Sequence, residues 1–462
     1  MLDRFVQHIE ISGLIPPQSF VLLGYSGGAD STCLLHLLKR AGIDIAAGHL
    51  HHGQRPEADT ELRLCEAFCQ ELDVPFVSGR ADVPRMSSEL KIGLEEAGRH
   101  ARYNFLQNAS YRLQADLIAT AHTRNDQAET VILNLCRGSG LHGLAGIPPS
   151  RDNIVRPLLP FTREETRSYC QEHGLWFHDD PANEDLSFSR ARIRHRILPE
   201  LAFINPKVDD AIARLAQLAD EEDRFLNGMA ASVLEQTEQT LNGDLNFLTS
   251  SIELALHTDK IKTLPTTLMK RAVRLATKFL GGALDFHQTE TLVQSIQEGG
   301  NGSLTGEGGK VVVEWDERTI HLRQLEDVAA FRFPLTLPGE TFGEEFGWVI
   351  TAVRADTGER NLRASLQATL NADKVVGQLY FRSVSPGDKL NPIGFDGHRK
   401  VSDLMSDRKL SRAARQRLPI ICDMLGPLWL PGVCLDQRAA ADPGEGNVIR
   451  LRFSPIIERQ RA

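Results

Sequence analysis

The feature that most constrains the fold is an alternation of short apolar runs with helical patterns over the first 180 residues. Patterns of buried strands occupy residues 20–25, 43–50, 74–77 and 116–120, and helical patterns occupy residues 31–40, 60–72, 95–113 and 126–136. Strands that alternate with helices are joined by right-handed crossovers and form a parallel sheet that is covered on both faces. Ligands of such sheets bind beyond the carboxyl ends of the strands. We therefore predict a Rossmann-like α/β domain with its site at that edge.

The pattern changes near residue 205. Helical periodicity dominates from residue 209 to about residue 299, and two alternating runs at 311–315 and 319–322 then predict a β-hairpin. From about residue 331, proline and glycine separate short strand-like runs. We predict three domains, namely a catalytic α/β domain at 1–205, a mainly helical middle domain at 206–328 and a small α+β C-terminal domain at 329–462.

The composition is that of a soluble globular protein, with 41% hydrophobic and 24% charged residues. The sequence contains no run of 18 apolar residues, so no membrane span is predicted. The acidic start of the chain argues against a signal peptide. The seven cysteines form no short-spaced framework, which indicates reduced thiols in the cytoplasm.

The charge balance is uneven along the chain. A net charge of −9 argues against general nucleic-acid binding, yet residues 381–418 contain nine Lys and Arg against four Asp and Glu. This basic segment is either a footprint for a polyanion or a solvated face.

A glycine-rich loop, Ser26-Gly27-Gly28-Ala29-Asp30-Ser31, lies between the first predicted strand and its helix. Its glycines let backbone N–H groups approach a phosphate at the positive end of the helix. A carboxylate beside a polyphosphate is repulsive unless it holds a metal, so Asp30 predicts Mg²⁺. The loop is neither a Walker A motif nor a dinucleotide fingerprint. The alternative is a turn that Asp30 merely caps.

The loop resembles the signature of the N-type ATP pyrophosphatases, which adenylate an oxygen and release pyrophosphate. Four further segments lie at 51–55 (HHGQR), 95–103 (EEAGRHARY), 121–130 (AHTRNDQAET) and 180–195, where DPAN precedes SRARIRH. In this order and spacing they resemble the tRNA(Ile)-lysidine synthetase family. The segments at 385–394, 400–407 and 429–432 are similar to the C-terminal domain of that family.

The resemblance implies a two-step ligase reaction. The 2-carbonyl oxygen of the wobble cytidine of tRNA(Ile) with a CAU anticodon attacks the α-phosphate of ATP, and the amine of L-lysine then displaces AMP. The resemblance also implies the site residues. The expected catalytic residues are Asp30, Arg102, Asp126 and Arg194. ATP is expected to bind at Ser26, Gly27, Gly28, Ala29, Asp30, Ser31 and His52, with Asp30 on Mg²⁺. The expected tRNA contacts are Arg399, Lys400, Arg408, Lys409, Arg412 and Arg415, together with Arg417.

The resemblance further implies roles within this set. Arg102 and Arg194 are expected to contact the α-phosphate and the activated base, and Asp126 to hold the lysine ammonium and assist its deprotonation. Glu129 lies on the same helical face and could assist. Judged from the residues alone, Asp126 could instead be a helix N-cap. The family is compatible with either a homodimer or a monomer.

Several residues leave alternatives open. Thr123 and Asn125 stand where the family usually has His and Asp, and Ala191 replaces an amide. Cys65 and Cys69 are one helical turn apart, but without a second pair we expect packing rather than a metal site. The rival functions are a pyrophosphatase that amidates or thiolates another substrate, and a nucleotide-sensing or tRNA-binding module without catalysis, for which Asn125 is the one hint.

Overall fold

The computed structural model describes residues 1–51, 58–179, 185–326, 328–362 and 364–456. The chain divides into two compact units, Met1–Phe225 and Leu226–Ala462. The predicted middle and C-terminal domains both fall almost entirely within the second unit, and the three-domain division remains a prediction. Among the described helices, none has the length and apolar content that a membrane span requires.

The first unit alternates strands and helices along the chain. Its strands are β1 (Phe20–Gly24), β2 (Asp44–His51), β3 (Phe76–Arg80), β4 (Leu117–Ala119), β5 (Ser150–Arg151) and β6 (Ile154–Val155). Its helices are α1 (Leu2–Ser12), α2 (Ala29–Arg40), α3 (Ala58–Glu71), α4 (Val83–Leu90), α5 (Leu94–Leu113), α6 (Arg124–Cys136), α7 (Leu141–Leu144), α8 (Arg163–Glu172), α9 (Ser189–Arg192) and α10 (Leu198–Ile204). A π-helical turn, Ile193–Ile197, separates α9 from α10, and the long helix α11 (Val208–Thr237) follows.

The strands of the first unit form a six-stranded sheet in the order β3-β2-β1-β4-β6-β5. All neighbours are parallel except β5 and β6, which form an antiparallel edge. The predicted parallel α/β sheet is therefore confirmed. Since β1 lies between β2 and β4, the strand order reverses at β1, and the loops after β1 and β4 open at the same edge of the sheet.

The sequence of β1 explains why the sheet is covered on both faces. Val21 and Leu23 are fully buried in one core cluster, together with Leu34 of α2. Leu22 points to the other face and is fully buried in a second cluster with Leu106 of α5. Side chains alternate across a strand, so a continuous apolar run is buried on both faces.

The second unit begins with helices and an antiparallel sheet. Its helices include α12 (Thr258–Lys262), α13 (Thr266–Phe279) and α14 (Phe286–Glu298), and its first strands are β7 (Glu253–His257), β8 (Gly302–Thr305), β9 (Val311–Trp315) and β10 (Thr319–Gln324). The predicted hairpin is β9–β10, and β7 and β8 extend it to a four-stranded sheet in the order β7-β10-β9-β8.

The rest of the second unit is rich in short antiparallel strands, as the α+β prediction for the C-terminal segment requires. The strands are β11 (Arg332–Pro334), β12 (Gly339–Gly343), β13 (Trp348–Ala355), β14 (Gln367–Asn371), β15 (Tyr380–Ser383), β16 (Lys389–Leu390), β17 (Arg399–Lys400), β18 (Pro419–Asp423), β19 (Gly426–Leu430), β20 (Cys434–Leu435) and β21 (Val448–Pro455). Two short helices, α15 (Val401–Asp407) and α16 (Arg412–Arg417), lie within the basic segment. Trp348 and Trp429 are buried in the core of this region.

Candidate active site

The glycine-rich loop joins β1 to α2 at the carboxyl edge of the sheet. Gly27 has a φ of 79°, and a Cβ there would lie 2.7 Å from Sγ of Cys65 and 2.9 Å from Nδ1 of His178. Only glycine therefore fits. The hydroxyls of Ser26 and Ser31 are 3.1 Å apart. Gly28 is the N-cap of α2 and provides no side-chain cap, so the first N–H groups of this helix are available to an anion.

Asp30 lies in the first turn of α2, next to this loop. Its carboxylate accepts a hydrogen bond from the hydroxyl of Thr166, and its Oδ2 lies 3.6 Å from Nε of Arg163. Burial raises the pKa of Asp30 to about 6, and the negative charge of Asp126 acts in the same direction.

The surroundings of Asp30 fit a magnesium ion held jointly with a polyphosphate. Within the described ranges, no group of three or more His, Cys, Asp or Glu side chains is placed to bind a metal. Mg²⁺ commonly uses one or two carboxylates and takes its other ligands from substrate phosphates and water. Asp30, beside the phosphate loop and with a second carboxylate close enough to raise its pKa, suits that pattern.

Asp126 follows β4 and lies in the first turn of α6. Its Oδ2 accepts hydrogen bonds of 2.8 Å from both the backbone N–H and the hydroxyl of Thr123, while its Oδ1 accepts one of 2.8 Å from Arg163. Burial opposes ionisation of Asp126, but Arg163, His122 and the two bonds from Thr123 together hold its pKa below the ordinary value. The N-cap of α6 is Thr123, not Asp126. Asp126 is the third residue of α6 and completes the capping box with Oδ2, so that Oδ1 is left for the bond from Arg163.

Glu129 lies one turn further along α6 and is fully buried. Arg194 donates to it with two nitrogens, Nε at 2.7 Å and Nη2 at 3.1 Å, and Nη1 of Arg163 lies 3.2 Å from it. Arg194 belongs to the π-helical turn, a feature that is frequent at functional sites. The structure thus brings the predicted residues Asp126, Glu129 and Arg194 into one cluster.

Arg163 is the residue of this cluster that sequence reasoning missed. It is the first residue of α8, and its guanidinium contacts Asp30, Asp126 and Glu129. The signal for the start of this helix was present, since Thr162 and Glu165 form a capping box. That signal locates the helix, but it does not reveal which carboxylates its first residue meets.

His122 experiences both the acidic cluster and several arginines. Burial lowers its pKa to about 4; Asp126 opposes this shift, whereas Arg156, Arg99 and Arg190 reinforce it. Its Nδ1 lies 2.9 Å from the hydroxyl of Thr120. A neutral His122 at physiological pH therefore lies near carboxylates as well as guanidinium groups.

The predicted catalytic residue Arg102 lies on α5 and is exposed. On the same helix Arg99 stacks over Tyr103 at 5.3 Å, and Arg190 of α9 lies 3.3 Å from Glu95. Arg99 and Arg102 are exposed, whereas Arg190 is half-buried. The contacts found in the described chain do not join Arg102 to the carboxylate cluster.

The departures from the family pattern receive a physical explanation at one position. The side-chain oxygen of Asn125 accepts a 2.8 Å hydrogen bond from the backbone N–H of Arg163, and its amide donates to Asp209 at 2.7 Å. An aspartate at this position would face the carboxylate of Asp209 without a proton to donate. Ala191 is buried against the core, and nothing in the structure explains the loss of the amide there.

Other sequence predictions have simpler outcomes. His52 and the segment 180–184 lie outside the described residues. Cys65 and Cys69 are buried in the core of the first unit, as the packing interpretation predicts. The buried His51 places Nε2 3.5 Å from Asp59.

The cations of the basic segment in the second unit differ in their exposure to solvent. Lys400, Arg408, Lys409 and Arg412 are exposed, while Arg399 and Arg415 are half-buried. Arg399 pairs with Asp407 at 2.8 Å, and Arg415 donates to the carbonyl of Leu410. Arg417, which was expected among the tRNA contacts, is buried instead, and its guanidinium pairs with Glu326.

Two family models match the chain. The PP-loop domain model matches residues 2–201, and the TilS substrate C-terminal domain model matches residues 378–453. The parallel sheet and the loop at its edge thus define the first part of the chain as a PP-loop domain, the fold of ATP pyrophosphatases.

Curated relatives define the family more narrowly. The tRNA(Ile)-lysidine synthase of Symbiobacterium thermophilum is 30% identical over 476 residues, which cover 98% of this chain and 97% of that protein. The enzyme of the same name from Porphyromonas gingivalis is 30% identical over 445 residues, or 94% of each chain. The one from Caldanaerobacter subterraneus is 25% identical over 469 residues, or 98% of each. The chain belongs to the tRNA(Ile)-lysidine synthase family.

Proposed function

We propose that this chain attaches L-lysine to carbon 2 of the wobble cytidine of tRNA(Ile) with a CAU anticodon, with cleavage of ATP to AMP and pyrophosphate. Its family membership supports this function. The structural observation that carries the proposal is the position of Arg163, which contacts Asp30 beside the phosphate loop as well as Asp126 and Glu129. Asp30, beside the site for the ATP phosphates, and the carboxylates of Asp126 and Glu129, which suit an alkylammonium ion, therefore contact the same guanidinium group.

The first step is adenylation of the base. The cytidine 2-carbonyl oxygen attacks the α-phosphate, the bond to the β-phosphate breaks and pyrophosphate leaves. Ser26 to Ser31 donate N–H and hydroxyl groups to the phosphates, and Asp30 would hold Mg²⁺, which would supply positive charge to the leaving pyrophosphate. His52 is proposed to lie near ATP. Arg102 and Arg194 are proposed to contact the α-phosphate and the activated base with their planar guanidinium groups.

The second step is attack by lysine. Asp126 and Glu129 bind the ε-ammonium, and Asp126 accepts its proton so that the neutral amine can attack carbon 2. A C–N bond forms, the C–O bond to the adenylate breaks and AMP leaves. The pKa of Asp126 is held low, so this carboxylate is ionised at physiological pH and can bind a cation.

The basic segment is proposed to grip the tRNA. Its exposed cations and short helices suit contacts with phosphates and 2′-hydroxyls, which carry affinity without base specificity. The wobble base must leave its stack to reach the first unit. We propose that the chain acts in the bacterial cytoplasm as a monomer or a homodimer, which light scattering of the purified protein distinguishes.

The direct test is incubation of the purified chain with ATP, Mg²⁺ and radiolabelled lysine. One reaction contains unmodified tRNA(Ile) with the CAU anticodon, and the other contains tRNA(Met), whose anticodon is the same. Label in the first tRNA alone supports the ligase. ATP binding without label in either tRNA overturns it and favours a binding module instead.

A further inference from the structure

The guanidinium of Arg163 is enclosed by the three carboxylates of the site. Nη2 lies 2.8 Å from Oδ1 of Asp126, Nη1 lies 3.2 Å from Oε1 of Glu129, and Nε lies 3.6 Å from Oδ2 of Asp30. The backbone N–H of the same residue donates to Oδ1 of Asn125 at 2.8 Å. Arg163 is thus fixed to α6 through both its backbone and its side chain.

Arg194 does not duplicate this arrangement. Its fork is committed to Glu129, and its Nη2 stays 4.0 Å from Oδ1 of Asp126. Arg163 therefore supplies the close positive charge on Asp126.

The contacts of Arg163 overlap with those that a lysine ammonium needs. An ammonium bound to Asp126 and Glu129 must share Oδ1 and Oε1 with the guanidinium already there. A like charge weakens the binding of the ammonium and favours its neutral form. The neutral amine is the nucleophile.

We propose that Arg163 is the positioning residue of the lysine-transfer step: it orients the Asp126 and Glu129 carboxylates toward the incoming amine and shares both with it. The inference rests on the proposed function. In the step it supports, one proton moves from the ammonium nitrogen to an oxygen of Asp126. The freed electron pair forms the C–N bond at carbon 2, and the C–O bond breaks as AMP leaves. Arg163 gains and loses no proton.

The test uses the full-length chain with Arg163→Gln, which removes the charge and keeps a planar hydrogen-bonding group. We expect the KM for lysine to stay equal or fall, because the competing cation is gone, while kcat for lysine transfer falls by about tenfold or more. The tRNA-dependent exchange of pyrophosphate into ATP, which reports adenylation, should change by less than about threefold. Arg163→Lys restores the charge without the fork and should recover part of kcat.

The matched control is Arg167→Gln. Arg167 lies one turn later on α8 and pairs with Asp179 at the surface, with 46% of its side chain exposed. This variant should leave KM, kcat and the exchange rate unchanged. Thermal melting of each variant verifies that the fold is retained, and calorimetric titration with lysine measures its affinity without turnover.

Two results would overturn the role of Arg163. One is a rise in the KM for lysine with kcat unchanged, which would make Arg163 part of the binding surface for the substrate. The other is an equal loss of adenylation and transfer, which would assign it to ATP binding or to the fold. A wild-type chain that incorporates no lysine contradicts the proposed function instead. In that case calorimetry still decides about Arg163, since Arg163→Gln must bind lysine at least as tightly as wild type.

Discussion

The carboxylate of Asp126 is divided between a helix start and Arg163. One oxygen accepts two hydrogen bonds from Thr123, and the other accepts a 2.8 Å bond from the guanidinium of Arg163. A side chain held in this way by local structure is oriented before any substrate arrives, which reduces the cost of ordering it during the reaction.

Replacing Asp126 with Asn should separate chemistry from structure. The amide oxygen can still accept from Thr123, so α6 should start normally, but the amide cannot take the lysine proton. We expect lysine transfer to fall by about 100-fold or more, while ATP binding measured by calorimetry is retained. The control is Glu165→Gln, which changes the equivalent residue of the capping box of α8. Equal activity of the two variants would contradict the role of Asp126.

Ionised Asp30 should reduce the stability of the ligand-free protein. Its folded pKa of about 6 lies above the ordinary 3.8, so the folded state binds this proton more tightly than the unfolded state. The free energy of unfolding should therefore fall as the pH rises from about 4 to 6, by at most about 3 kcal/mol from this group. Asp30→Asn should remove that part of the pH dependence in urea unfolding, whereas Asp44→Asn, at an exposed position, should not. A stability curve that Asp30→Asn leaves unchanged would refute this account.

Gly27 should be essential to the phosphate loop. An alanine there has a strained backbone and a Cβ too close to Cys65 and His178. We expect Gly27→Ala to lower ATP affinity by about tenfold or more, because the loop must move to accommodate it. Gly42→Ala is the matched control, since Gly42 also has a positive φ of 73° but no atom within 4 Å of its Cβ. It should lose about 1 kcal/mol of stability and keep ATP affinity. Similar ATP affinities for the two variants would exclude the steric argument.

The exposed cations near α15 and α16 should contribute to tRNA affinity through phosphate contacts. The double variant Arg408→Ala with Arg412→Ala should bind tRNA about tenfold more weakly at low salt, and its salt dependence should have a slope smaller by about 1 to 2. Filter binding at several salt concentrations measures both. Arg360→Ala, an exposed change in the same unit, is the control. An unchanged slope for the double variant would place the RNA elsewhere.

Much of the fold could be predicted because period and burial are local properties. The run 20–25 is apolar on both faces of a strand, and its place in an alternation of strands and helices indicates a covered parallel sheet. The loop after β1 and the segment after β4 could then be assigned to the same edge, which brings Asp30 and Asp126 close to the shared guanidinium of Arg163.

The parts that were missed depend on contacts distant in sequence. Arg163 is one of 52 Lys and Arg residues, and its meeting with three carboxylates requires α8 to pack beside α2 and α6. The burial of Arg417 could not be predicted, because a count of charges does not reveal that its guanidinium meets Glu326. The amide of Asn125 has a partner, Asp209, that lies 84 residues away.

The site is proposed to cleave ATP at the α-phosphate in order to attach lysine to tRNA. The most direct measurement follows ATP labelled in the α-phosphate together with labelled lysine in one reaction containing tRNA(Ile) with the CAU anticodon. We predict that one molecule of AMP is released for each lysine incorporated into the tRNA. Without tRNA, no AMP should be released. Release of ADP, or of AMP with no lysine in the tRNA, would contradict the account.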